Sequence, residues 1–120
     1  AGIRRLLASP ALKEYVPPAS EGAAQQARLQ GGANAKHKGP PEFDTCDPAD
    51  DPGPGNLRID YVLPSRNLNV KRAGVFWPTV DDPLFRLVGV HPFPGSDHRL
   101  VWVEIDLSPS RPRIPTANSR

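Results

Sequence analysis

Apolar positions along this chain change period near its middle. Ile3, Leu6 and Leu7 fall at helical spacing and predict a short amphipathic helix over residues 2–8. Ser9-Pro10 reads as an N-cap followed by Pro at the first helical position, which would start a short helical turn from Ala11 to Tyr15. Pro17-Pro18 breaks it. Ser20-Glu21 can cap a third helical segment, with Gly31-Gly32 as its stop. That segment, "AAQQARLQ", carries Leu29 as its one large apolar residue, which leaves a solvated helix and a loop both open. From Ala33 to Asn56 no period is visible. "GPPEFDTCDPADDPGPGN" is rich in Pro, Gly and Asp and predicts a surface connection or a flexible loop.

Beyond Asn56 the period becomes two. "NLRIDYVLPS" places Leu57, Ile59, Tyr61 and Leu63 on one face of a strand and Arg58, Asp60 and Val62 on the other, and Pro64 ends it. "LNVKRAGVFW" is a second strand candidate, closed by Pro78. "HRLVWVEIDL" is the third, with Val101, Val103, Ile105 and Leu107 on one face and Leu100 and Trp102 on the other. Large apolar groups on both faces predict a strand inside a layered structure. Helices first and strands later, without βαβ alternation, indicate an α+β fold or part of a mixed sandwich. Trp77 and Trp102 are expected in its core. The tail "SPSRPRIPTANSR" has no core residue beyond Ile114, and residues 108–120 are expected to be disordered.

Composition narrows this picture. The chain has 120 residues, which bounds it to one small domain, and its 16 prolines and 10 glycines predict long irregular connections. A net charge of +2 with scattered Lys and Arg is not the footprint of a dedicated nucleic-acid binder. The single cysteine, Cys46, excludes an internal disulfide and has no neighbour at metal-ligand spacing, so it reads as a bystander. No stretch approaches the roughly 20 apolar residues of a membrane span. There is no signal-peptide pattern and no Met, so the chain reads as a piece of a longer protein.

Two places could carry chemistry. Asp60 sits between Ile59 and Tyr61, where a buried carboxylate is costly unless it is paired. A solvent-facing Asp on an edge strand fits the pattern equally well. Asp97-His98 opens the third strand. Its plain reading is an Asx-type turn with an exposed His. Adjacent residues on an extended chain point apart, so Asp60 is a better partner than Asp97 for orienting the His98 ring. Asp44, Asp47, Asp50 and Asp51 lack the EF-hand spacing and read as a solvated acidic loop. His91 has no supporting context.

The two motifs together carry a resemblance. "RIDYVLPS", followed roughly thirty residues later by "SDHRLVWVEI", resembles the C-terminal half of the endonuclease/exonuclease/phosphatase superfamily, the deoxyribonuclease I-like phosphoesterases. "GVFWPTVDDPLFRLVG" and "QGGANAKHKG" also resemble a bacterial subgroup described as secreted or extracellular, which would put the full-length parent outside the cell or in the periplasm. The resemblance spans residues 1–107. It implies the C-terminal part of a four-layer α/β sandwich, incomplete on its own and partnered by the N-terminal half of the same domain. It implies metal-dependent hydrolysis of a phosphate ester, nucleic acid among the candidate substrates, with Mg²⁺ or another divalent cation such as Mn²⁺ or Ca²⁺. By the same resemblance, His98 would contact the scissile phosphate as an acid–base or charge-stabilising group, Asp60 would orient its imidazole, and Asp97 would lie beside the metal and the attacking water. His37, in a loop that lies near the site in the family, becomes a substrate-binding candidate, although a His between two lysines is more often solvated. The family's Asn and Glu metal ligands and its Gly-Asp-x-Asn motif cannot be assigned here. The alternative is therefore a truncated or degenerate, non-catalytic fragment that acts at most as a binding module.

Overall fold

The computed structural model describes residues 2–48 and 53–108. It is a small α+β fold. Helix α1 spans Gly2–Leu7 and helix α2 spans Glu21–Gln30. Short 3-10 turns cover Gly32–Lys36, Pro41–Phe43 and Pro83–Leu87. Strands β1 (Asn69–Phe76) and β2 (Leu100–Asp106) form an antiparallel pair. Their register runs from Asn69 opposite Asp106 to Phe76 opposite Leu100, with an irregularity between Val70 and Arg72. Arg72 Nε donates to Glu104 Oε2 at 2.7 Å across the pair.

Helix α2 forms as its caps dictate. The Ser20 hydroxyl accepts from the Ala23 N–H at 3.1 Å, and Gly31 ends the helix with φ of 62°. It is not the solvated element its composition allows. Leu29 is exposed, and the buried face is made of Gly22, Ala23, Gln26 and Ala27. Small residues let the helix approach the chain at Trp77 closely: a Cβ on Gly22 would stand 2.0 Å from the Trp77 carbonyl oxygen. Ala23, Trp77 and Val88 form the apolar core, with Val75, Phe76 and Phe85 packed against it.

Four expectations are corrected. Residues 11–15 form no helix. Leu12 pairs with Ser65, the Lys13 N–H donates to the Pro64 carbonyl at 2.9 Å, and the Tyr15 hydroxyl donates to the Val62 carbonyl at 2.6 Å, so this segment lies along residues 62–66. Residues 56–65 are not a regular strand. They make isolated bridges at Leu57 and Ser65, and Pro64 has no N–H with which to extend a ladder. Residues 44–47, expected on a surface loop, are instead among the most buried in the protein, with Thr45 fully inaccessible. Trp102 is not a core residue. It is 40% exposed and lies over Gly74, where a Cβ would come within 2.5 Å of the indole. Of the acidic residues expected in a solvated loop, Asp44 and Asp47 are buried, while Asp50 and Asp51 fall outside the described residues. The tail 109–120 also lies outside them.

The buried centre is therefore polar as much as apolar. Gln30 Nε2 donates to Asp47 Oδ1 at 2.7 Å, and its Oε1 accepts from Asn34 Nδ2 (3.0 Å) and Asn56 Nδ2 (3.1 Å). Arg99 Nη2 meets Asp47 Oδ2 at 3.3 Å with both side chains out of contact with solvent. Burial of such groups is tolerable because each charge has a hydrogen-bonded partner. This network ties the C-terminal end of α2 to the segment that carries Thr45 and Cys46. Among the described residues no helix is long and apolar enough to cross a membrane.

Candidate active site

Residues 45–47 act as a rung between the two sequence motifs. On one side Cys46 and Leu57 exchange both backbone hydrogen bonds at 3.0 Å. On the other, the Asp47 N–H donates to the Asp97 carbonyl and the Arg99 N–H to the Thr45 carbonyl, both at 2.8 Å. The second pattern makes Cys46 and His98 a pair flanked by backbone bonds, so their side chains share a face. "RIDYV" and "SDH" do not touch as neighbouring strands. They are aligned through three residues of the Pro- and Asp-rich stretch.

That alignment brings Asp60 and His98 together. His98 Nδ1 lies 2.9 Å from Asp60 Oδ1 and 3.1 Å from Oδ2. With Asp60 ionised, Nδ1 carries the proton and donates, and Nε2 is left as the open ring nitrogen. The hydrogen bond to Asp60 raises the His98 imidazole above its ordinary 6.5, against a smaller opposing effect of desolvation. Thr45 fixes the carboxylate from behind. Its hydroxyl donates to Asp60 Oδ2 at 2.9 Å and accepts from the N–H groups of Ile59 (3.2 Å) and Asp60 (3.0 Å).

Asp97 points elsewhere. Its Oδ2 accepts from the Cys46 thiol at 3.8 Å. Burial, with the nearby Asp97 and Asp60 charges, pushes that thiol up to about 11. Cys46, Asp97 and His98 each offer a ligand atom within 4.8 Å of the others, and Cys46 is almost wholly buried. The cysteine is not the isolated residue that its sequence context implies.

Arg99 holds the turn that carries Asp97 and His98. Its guanidinium carbon sits 4.6 Å from the centre of the Trp77 ring system and 5.0 Å from that of Phe93, and Nη1 donates to the Ser96 carbonyl at 2.8 Å. The Ser96 hydroxyl in turn accepts from the His98 N–H at 3.0 Å. The turn is thus anchored by a buried cation between two aromatic faces. The strand that follows does not supply the anchor, since Leu100 is 66% exposed.

His37 is separate from this cluster. Its Nε2 lies 3.5 Å from Asp44 Oδ1, in a cleft of about 490 Å³ also lined by Arg4, Lys38, Arg58 and Tyr61. Burial raises the Asp44 carboxyl, and His37 opposes that rise. His91 lies edge-on to Phe93 and takes no part in either cluster.

Sequence reasoning missed Thr45, Cys46, Asp47 and Arg99. The one available signal was "EFDTCD", six residues without Pro or Gly inside a Pro/Gly-rich stretch, which is long enough for one short extended rung. No curated protein and no solved structure matched the chain. The family model described as "Endonuclease/Exonuclease/phosphatase family" matches residues 3–98, ending on the histidine that the geometry singles out. With that match over most of its length, the chain belongs to the endonuclease/exonuclease/phosphatase family.

Proposed function

We propose that this chain supplies the acid–base side of a metal-dependent phosphoesterase site. The observation that carries the reading is the Asp60–His98 pair, bonded through Nδ1 and backed by Thr45. A ring held this way presents Nε2 to a ligand. As imidazole it accepts a proton there, and as imidazolium it donates to a non-bridging phosphate oxygen. The ionised Asp60 stabilises the imidazolium form without itself taking the proton. Asp97, one residue away and turned from the ring, would hold a hydroxylic nucleophile or a cation. Family members act on phosphate esters, and the substrate could be a phosphodiester or a phosphomonoester, nucleic acid included.

The family implies a divalent cation. A bound cation would neutralise phosphate charge and lower the pKa of an attacking water. Asp97 fits as one carboxylate ligand of Mg²⁺, which takes one or two carboxylates and keeps several waters. The remaining oxygen ligands are not found among the described residues, where the one candidate cluster contains a single carboxylate. We therefore assign residues 1–107 to the C-terminal portion of the domain. The exposed Leu100 and Trp102, which share one face of β2, support a partner layer that would complete a four-layer sandwich.

The test is replacement of His98 by Ala in the full-length protein, assayed on a chromogenic phosphodiester with Mg²⁺. The expected loss is roughly 10²- to 10⁴-fold, the range for a positioned acid–base group. Undiminished hydrolysis would remove the catalytic assignment. The lone carboxylate in the cluster favours a second reading, a non-catalytic fragment. Failure of this chain to bind Mg²⁺ or Mn²⁺ in calorimetry, unrescued by the N-terminal portion, would select it.

A further inference from the structure

We propose that Cys46, Asp97 and His98 bind a thiophilic divalent cation, Zn²⁺ in the first place, at a site that engages the same His98 nitrogen as the phosphoesterase chemistry would. A thiol, a carboxylate and an imidazole are the three ligand types that Zn²⁺ accepts in tetrahedral sites. Metal–ligand lengths of about 2.0–2.3 Å set the sulfur–oxygen edge of such a tetrahedron at roughly 3.5 Å. Cys46 Sγ and Asp97 Oδ2 stand 3.8 Å apart, and the thiol sulfur, a carboxylate oxygen of Asp97 and a ring nitrogen of His98 all lie within 4.8 Å of one another. Small side-chain rotations would close the site, because the Cys46–His98 pairing already sets both side chains on one face.

The outer shell points the same way. A zinc-binding histidine almost always donates its other ring N–H to a carboxylate or carbonyl, which fixes the tautomer and raises ligand basicity. Asp60 does this to His98 Nδ1 at 2.9 Å, which leaves Nε2 for the cation. Thr45 holds that carboxylate in turn. Mg²⁺ has little use for a sulfur ligand, so the thiol distinguishes soft from hard cations here.

Binding replaces the Cys46 S–H bond by a sulfur–metal bond and releases one proton to solvent. Asp97 binds as carboxylate and His98 through neutral Nε2, with water in the fourth position. Nothing is oxidised or reduced. A cation there occupies the nitrogen that would face phosphate, so the zinc-loaded state is inhibited. That consequence rests on the phosphoesterase reading, but the site does not.

Titration with Co²⁺ alone, followed by absorption, tests the site without any substrate. The expected result is a thiolate-to-cobalt charge-transfer band and four-coordinate d–d bands that saturate at one Co²⁺ per chain. Zn²⁺ should displace the signal and excess Mg²⁺ should not. Cys46→Ser should abolish the charge-transfer band, and Asp60→Asn, which touches no metal, should weaken Co²⁺ binding roughly 10- to 100-fold. Absence of the band in the wild-type chain, or a band unchanged in Cys46→Ser, overturns the proposal. Should the buried cysteine variant fail to fold, the exposed His98 carries the test, and undiminished Co²⁺ affinity in His98→Ala overturns it. A chain that binds Co²⁺ through sulfur but hydrolyses nothing refutes only the phosphoesterase reading.

Discussion

Replacing Thr45 by Val removes one hydroxyl from a side chain with no solvent access and leaves its shape almost unchanged. Three hydrogen bonds go with it: the donation to Asp60 Oδ2 and the acceptance from the Ile59 and Asp60 N–H groups. A bond to a charged acceptor contributes about 1.5–3 kcal/mol, and each backbone donor left without a partner costs about 1 kcal/mol or more. Ile59 is partly open to water, which will recover some of that loss. The expected destabilisation is about 2–4 kcal/mol. Thr45→Ser is the control, because it keeps the hydroxyl and deletes one methyl, at about 1 kcal/mol. Urea unfolding gives both values, and NMR titration of the His98 ring gives a second readout. In Thr45→Val the carboxylate loses its support, and the imidazole should fall back toward 6.5. In Thr45→Ser it should remain raised. A Val variant at least as stable as the Ser variant, with an unaltered His98 titration, would refute the claim that Thr45 positions Asp60.

Two further outcomes follow from the geometry. The His98 imidazole is raised in the folded state, so its pairing with Asp60 contributes full stability below about pH 6.5, and this fades as pH rises through the raised folded value. The stability gap between wild type and Asp60→Asn should therefore narrow from pH 5.5 to pH 8.5 in chemical denaturation, and a constant or widening gap would contradict the pairing. Gly22→Ala should destabilise by about 1–3 kcal/mol, because overpacking against the Trp77 carbonyl outweighs the gain of about 1 kcal/mol in helix propensity. A thermal melt that rises in this variant would refute the close approach.

What the sequence revealed and what it hid have physical reasons. The limits of α2 were legible because Ser20 and Gly31-Gly32 act locally, β2 because its alternation persists over several residues, and β1 as a run closed by Pro78. Asp60 and His98 were nameable because their surrounding motifs are distinctive, and the geometry does bring them together. The rung at 45–47 was not legible. Three residues carry no period, and their order comes from backbone pairing on both sides and from a buried Asp47–Arg99 contact more than fifty positions apart. Buried Asp44 and Asp47 run against the usual placement of charge, and the positions of His37 beside Asp44 and of Gln30 and Arg99 beside Asp47 help make it tolerable. The apolar residues of β2 predicted a two-sided layer; Val101 and Val103 are half-buried, while Leu100, Trp102 and Ile105 are exposed. Alternation reports what a strand is built to cover, whether or not the cover is present.

The stacking of Arg99 on Trp77 gives the molecule an internal optical reporter. The cation that touches this indole also grips the Ser96 carbonyl, so motion of the Asp97-His98 turn changes the electric field on the ring. Trp77 is sealed from solvent whereas Trp102 is not, so a dissolved quencher such as iodide silences the second indole and leaves the first. The residual fluorescence then reads the state of the turn directly in the unlabelled chain, as cations or phosphate esters are added.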